Sequence, residues 1–394
     1  MQTPYRQLQR LATFKERGHK IKLSLHVKVS ALIMLLLVIP FTAFFLTPIT
    51  SASVNFIEVL QQIQIFRTLQ SAFEITSQSC SPWMLAQWSA VLYHMLDPRP
   101  GVKVIAVSCF GFYTCSLLNM LYGEPRPYWE SSNLNGYLCK QGFGLPSMEL
   151  FLSVVFYFFL AIQLLRKGGG FYLGIAVYTV LLLGLGFQAV GEVVLGEHFP
   201  HQVFISACYA FIYITLMLSQ DTLLTRWCYR AAFNYEKNRK YSVYLVLITI
   251  SLLVLAVIVA QMASRDYLPS LWLTNASKQC ENNIGVVGAF TSTSLLLYGA
   301  GVLTGSMHTS KHLHEFWWNT PLWKGCARAL LAIGAQSAVF FIASQLSQTD
   351  QVTDYVFGQA VPMMVAGYGL SGVLPTLFEV LRLTEPDRSQ ECVI

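Results

Sequence analysis

"GLPSMELFLSVVFYFFLAIQLLRKGGG", residues 144–170, decides the class of the fold. A Pro-Ser pair opens it, Glu149 sits two residues further on, and no residue from Leu150 to Leu165 is charged. Arg166, Lys167 and three glycines then close it as a tight turn. A bilayer crossing takes about 20 apolar residues in a helix. Nine or ten apolar runs of 17 or more residues recur along the chain, too many to be core helices of a soluble fold.

The whole composition agrees. Of 394 residues, 54% are hydrophobic and 12% charged, against about 25% charged for an ordinary soluble domain. The expected fold is an all-α membrane protein, a polytopic helical bundle of about ten transmembrane helices. The expected spans are 29–48, 81–97, 102–122, 146–166, 170–190, 201–219, 242–262, 284–305, 326–346 and 356–381. Residues 51–80 are too polar to cross, and their apolar residues recur at helical spacing, which predicts an amphipathic helix lying at the interface. The expected organisation is therefore a basic N-terminal segment with an extra helix over 1–50, the interfacial helix over 51–80, and one transmembrane domain over 81–394. "DPRPG" (97–101) reads as a turn.

The net charge of +6 bears on loop orientation, not on nucleic acid. With the N-terminus cytoplasmic, 21 of the 26 Lys and Arg fall on the cytoplasmic side, leaving Arg67, Arg126, Lys140, Arg265 and Lys278 opposite. The positive-inside rule then puts both termini in the cytoplasm. Cys80, Cys139 and Cys280 fall on the other face, where either a Cys80–Cys139 or a Cys139–Cys280 disulfide, or free thiols, is compatible with the spacing. Asn275-Ala276-Ser277 is a glycosylation acceptor on that face.

Three segments meet at the non-cytoplasmic end in this topology: "YGEPRPYW" (122–129), "GLPSMEL" (144–150) and "GEVVLGEHFPHQ" (191–202). Helix ends opening to one face can surround a small anion. With these strings the chain resembles the type 2 phosphatidic acid phosphatase superfamily, and within it looks similar to the glucose-6-phosphatases. The resemblance implies a six-helix core and three motifs, Lys-x6-Arg-Pro, Pro-Ser-Gly-His and Ser-Arg-x5-His. It also implies a phosphohistidine mechanism with no metal or other cofactor.

The motifs carry over in part. Arg126 and Pro127 are kept, but the Lys position is Asn119. Pro146 and Ser147 are kept, while Gly and His have become Met148 and Glu149. Gly191 and Glu192 replace Ser and Arg, and His198 holds the nucleophile position. The implied phosphate-binding positions are thus Asn119, Arg126, Ser147 and Glu192, and the implied catalytic ones His198 and Glu149. The family's Lys, two Arg and a neutral acid position sum to +3. Asn119, Arg126, Glu149 and Glu192 sum to −1. A carboxylate about 4 Å from a phosphoryl group adds roughly 4 kcal/mol of repulsion at an effective dielectric near 20.

Plainer roles exist for the same residues. Glu149 in a first helical turn is favourable against the helix dipole, and Arg126 is expected to pair with Glu192 or Glu149 as a buried ion pair. His198 and His201, at i and i+3 with the two glutamates, form a conceivable metal set. The expectation is a catalytically inactive member of the superfamily acting as a structural or interaction subunit. Its partners would be membrane lipids and other membrane-protein subunits, in the endoplasmic reticulum or another endomembrane, or alternatively the mitochondrial inner membrane. The alternative function is an active lumenal phosphomonoester hydrolase working through His198.

Overall fold

The computed structural model describes residues 47–79, 81–95, 98–166, 170–233, 240–264, 268–280, 285–309, 320–346 and 354–384. They are helical, with no strand among them. In chain order the helices are α1 (Thr47–Gln62), α2 (Gln64–Thr68), α3 (Gln70–Gln78), α4 (Pro82–Met95), α5 (Pro98–Tyr122), α6 (Pro127–Glu130), α7 (Met148–Leu165), α8 (Phe171–Val194) and α9 (Pro200–Ser219). Then follow α10 (Asp221–Phe233), α11 (Lys240–Ala263), α12 (Ser270–Ser277), α13 (Val286–Thr291), α14 (Leu295–Thr309) and α15 (Leu322–Leu346). The last helical stretch is α16 (Val361–Tyr368) and α17 (Leu374–Val380), with π-helical turns at Asp354–Ala360 and Gly369–Val373.

Eight helical stretches among the described residues are long and apolar enough to cross a membrane. They correspond to eight of the expected spans. The expected span at 29–48 lies almost wholly outside the described residues. The one at 81–97 is a helix of 14 residues, short of the about 20 a crossing needs. α5 already begins at Pro98, so the helix starts inside the stretch read as a turn. Proline suits a first helical turn, where its missing N–H has no partner to lose.

The expected single helix over 51–80 is three helices instead. α1 ends at Gln62, and the chain re-enters helical geometry at Gln64 after an extended Ile63 (φ −68°, ψ 122°). The segment also does more than coat an interface. Gln61 donates to the carbonyls of Asn135 and Val194, each at 3.0 Å, and accepts from the Asn135 amide at 3.1 Å. Phe73 is buried against Phe187, ring centroids 4.6 Å apart.

α5 is the hub of the bundle, packed against α7 and α14, while α9 packs on α7 and reaches α5, where the Tyr213 hydroxyl donates to the Val107 carbonyl at 2.7 Å. α14 lies against the last helical stretch through glycines: a Cβ on Gly301 would sit 2.4 Å from the Met364 carbonyl oxygen, so only glycine permits this approach. The polar groups gather at two ends. At one, Lys103 and Arg166 hold Asp221 at 2.8 and 2.7 Å, and Arg328 donates to the carbonyls of His94 and Leu383. At the other lie the loops 123–147 and 195–199 and residues 278–280, joined by a Cys139–Cys280 disulfide. Of the two expected pairings, the structure therefore makes the second. Asn275 is buried in α12, its amide donating to the Trp129 carbonyl at 3.0 Å. That bond overturns the expectation of a glycosylation acceptor, because the side chain is not presented to solvent.

Candidate functional site

Each implied residue sits at a helix end facing that second cluster of loops. α5 stops where Gly123 takes a left-handed conformation (φ 59°), and the chain turns into an extended Arg126 that precedes α6. Ser147 is the N-cap of α7, its hydroxyl oxygen accepting from the Leu150 amide at 3.3 Å. α8 ends with Glu192 in its last turn, and Gly196 (φ 70°) bends the chain back so that His198 enters the same space. A Cβ on Gly196 would lie 2.3 Å from the Asn135 carbonyl oxygen, so this bend needs glycine twice over.

Five of the six implied residues converge. His198 is fully buried; its Nδ1 lies 2.7 Å from the Gly144 carbonyl oxygen and so donates to it. That fixes the tautomer, leaving the Nε2 lone pair to accept from Arg126 Nη1 at 3.1 Å. Nε2 is 3.6 Å from a Glu149 oxygen and 3.7 Å from Glu192 Oε2. Glu192 is itself fully buried, accepts from the Ser147 hydroxyl at 2.5 Å and from Gln188 Nε2 at 3.2 Å. The sixth residue, Asn119, stands apart. Its side chain donates to the carbonyls of Phe143 and Pro146 at 2.9 and 3.1 Å and accepts from the Phe143 amide at 3.0 Å. It pins the loop that carries Pro146 and Ser147 and has no hydrogen-bonding capacity in hand for an anion.

Arg126 does not pair with Glu192 or Glu149, contrary to expectation. Its Nε donates to the Gly142 carbonyl at 2.6 Å, and Nη1 to the Glu197 carbonyl at 3.0 Å and the Glu197 carboxylate at 3.5 Å. Glu197, fully buried, also accepts from the Leu138 amide at 2.7 Å. The two expected partners are engaged elsewhere: Glu192 by Ser147, and Glu149 by Lys140 at 3.1 Å. Lys140 in turn donates to Ser77 of α3 at 2.8 Å. Glu197 and Lys140 were missed in the sequence. Glu197 adjoins His198 in "GEHFP", and a buried arginine calls for a carboxylate somewhere near; nothing in the sequence points to Lys140. With the imidazole neutral, Arg126 and Lys140 against Glu149, Glu192 and Glu197 leave the cluster at −1.

The conceivable metal set is rearranged as well. Ligand atoms of Glu149, Glu192 and His198 lie within 4.8 Å of one another. His201 is not among them; it faces Glu124 at 3.3 Å. A metal would need the Nε2 lone pair that the Arg126 guanidinium already occupies, so the donor set fits a fixed hydrogen-bond network better than an ion. A cavity of about 230 Å³ adjoins this cluster. Arg126, Lys140, Met148 and Glu149 form one wall, and Thr291 and Gln359 from the C-terminal helices form the other.

Residues 100–226, from the start of α5 to the middle of α10, match the PAP2 superfamily model. No curated protein and no solved structure matches the chain. The matched stretch holds all six implied positions, and over it the chain is similar to the type 2 phosphatidic acid phosphatase superfamily.

Proposed function

We propose that this is a non-catalytic member of the superfamily, a pseudophosphatase that serves as a structural or interaction subunit in an endomembrane such as the endoplasmic reticulum. The observation that carries the reading is Glu192. At the position where the family has an arginine, its carboxylate bonds to the Ser147 hydroxyl and lies 3.7 Å from His198 Nε2. It is an anion in the space where a phosphoryl group attacked by that nitrogen has to sit. Arg126, the one family cation kept, has Nε and Nη1 closed onto two carbonyls, a carboxylate and the imidazole.

One observation favours the second reading, an active lumenal phosphomonoester hydrolase. The His198 ring is held by Gly144 with Nε2 turned inward, as a nucleophile requires, and Glu149 is near enough to protonate a leaving group. Purified protein in detergent, offered sugar phosphates and lipid phosphates between pH 5 and 8, separates the two. The first reading expects no turnover above a His198→Ala control and no protection by vanadate. Turnover abolished by that substitution would establish the second.

A further inference from the structure

The segment α1–α3 has two faces. In α1, Ile57 and Gln61, four residues apart, are buried against the bundle, and in α3, Phe73 and Ser77 repeat that spacing. Residues four apart share one side of a helix. The opposite side is apolar as well. Phe56, Val59, Ile63, Ile65 and Ile75 stand outward, 39 to 68% exposed. Ile75 lies two residues from both Phe73 and Ser77, about 200° round the helix from each. A helix with apolar residues on both faces buries both, and the described residues leave the outer one open.

What covers that outer face follows from its depth. Phe73 rests on Phe187 and Gly191, three to seven residues before α8 ends at Val194. At 1.5 Å per residue, that is about 5–10 Å inside the end of the helix. Helices that lie in a membrane interface bury their apolar face to about this depth. α8 is itself apolar enough to span and exposes Leu182, Leu183 and Val190, so the open face of α1–α3 continues a lipid-facing one. Beyond α3, the exposed Trp88 of α4 donates its indole N–H to the Ser79 carbonyl at 3.2 Å, at the level where tryptophan marks a membrane–water boundary. In the sequence, the apolar run 29–48 leads straight into α1, which starts the segment at a membrane surface.

We propose that α1–α3 lie in the plane of the membrane, their outer face seated on lipid acyl chains in the leaflet next to the candidate site, and that this seating holds the loops of the site in place. The inner face carries three holds. Gln61 bonds to Asn135 and to the Val194 carbonyl at the end of α8. Phe73 fills the space over Gly191. Ser77 accepts from Lys140, which pairs with Glu149, and the other Glu149 oxygen lies 3.6 Å from His198 Nε2. A segment with lipid on one side and Asn135 and Lys140 on the other transmits a loss of seating to the loop at 134–143. The inference applies to a catalytic and a non-catalytic site alike, so its test is separate from that of the pseudophosphatase reading.

Nanodiscs of phosphatidylcholine with a diazirine in its acyl chain test the surface. After illumination, cross-links mapped by mass spectrometry should fall on residues 56–65 and on Ile75, as well as on α8. Val59→Glu with Ile75→Glu puts two charges on the outer face and should lower that labelling. The same pair should speed amide hydrogen exchange over residues 134–143 by about ten- to a hundredfold, the factor that corresponds to one apolar side chain returned to water. Val59→Leu with Ile75→Leu should change neither reading. Gln61→Ala leaves the outer face untouched, so it should speed the same exchange with the labelling retained, and it covers the case that the double glutamate variant does not fold. Labelling of residues 56–65 and Ile75 by a water-soluble diazirine in place of the lipid would overturn the proposal. Protection from both reagents would overturn it too and assign the face to a partner chain. Lipid cross-links lost in the glutamate variant without faster exchange in the loop would overturn the coupling to the site, as would a Gln61→Ala protein that exchanges like the unaltered one.

Discussion

The ring of Phe73 fills the space that a side chain on Gly191 would need. A Cβ built on Gly191 would lie 2.7 Å from Phe73 Cδ1 and 3.0 Å from Cγ. The resemblance puts the serine of the third motif at Gly191, so a side chain there and the docking of α3 onto the end of α8 compete for one space. The polar stretch at 51–80 is thereby built into the site: Phe73 closes over Gly191, Ser77 receives Lys140, and Gln61 ties down Asn135.

Gly191→Ser should therefore destabilise the protein, by about 1–3 kcal/mol, the usual cost of overpacking a buried position. Phe73→Ala alone should cost about 3–5 kcal/mol. Combined with Phe73→Ala, the serine should cost little more, because the space it needs has been vacated. Thermal unfolding of the two single variants and the double variant measures the coupling. Additive losses would show that the two residues do not compete for the same volume.

The disulfide bears on topology. Cys139 and Cys280 close a loop of 141 residues in sequence separation, and a bridge of that span commonly contributes about 2–5 kcal/mol. Cys280→Ser, or reduction, should lower the unfolding temperature and loosen the loop that carries Lys140 and Gly142. Disulfides persist in oxidising compartments, so a bridged pair is expected in cells if this end faces away from the cytoplasm, as the distribution of Lys and Arg predicts. Non-reducing electrophoresis of protein taken from intact cells should show the bridged form. A fully reduced pair there, with alkylation from the cytoplasm, would invert the orientation.

The apolar runs carried the architecture, because a bilayer imposes a length on each helix that a sequence displays directly. Convergence of Arg126, Ser147, Glu149, Glu192 and His198 was legible too, since each lies within a few residues of a helix end. What was not legible depended on contacts with no periodic signature. Phe73 and Gly191 fit each other over more than a hundred residues of chain, and the glycine is read as an absence. Asn119 kept a place in the expected phosphate set because its position, not its bonds, matched. Arg126 was assigned to the nearest expected carboxylates, whereas the loop geometry at Gly196 brings Glu197 against it instead. Asn275 fell in an acceptor tripeptide whose side chain the fold turns inward.

At the other end of the bundle, pH should act through Asp221. Burial alone would raise its carboxyl, but the hydrogen bond and charge of Lys103, with Arg166, outweigh that and hold it below the ordinary value. The unfolded chain then takes up a proton at a higher pH than the folded one. The stability from this group is complete above the ordinary carboxylate range near 3.9 and is lost as pH falls through the lower folded value. Asp221→Asn should lower the unfolding temperature at pH 7, and the gap to the unaltered protein should narrow toward pH 3. A gap unchanged by acid would mean that the Asp221 charge contributes nothing there.

The last prediction reverses the site. Glu149→His with Glu192→Arg removes two carboxylates and adds one cation, taking the cluster from −1 to +2 with both histidines neutral. Vanadate should then bind, and protect against thermal unfolding, where the unaltered protein is expected to show no response. Asn119→Lys would complete the family's cations, but it strips the Phe143 amide and the carbonyls of Phe143 and Pro146 of their partner. Leaving such buried groups unpaired costs about 1–3 kcal/mol each, so the triple variant should be less stable than the double one and gain little further affinity. Met148→Gly widens access: the methionine methyl group is the nearest atom, at 3.1 Å, to a Cβ built on Gly142, beside the Arg126 hydrogen bond. Binding is the cleaner readout than turnover, because Gly191 still supplies no hydroxyl and Phe73 still blocks one. If the double variant, with and without Met148→Gly, folds and leaves vanadate unbound, then charge is not what closed this site. The hydrogen bonds that hold Arg126 on Glu197 and Gly142 would then be the barrier, and Glu197→Gln the next substitution to add.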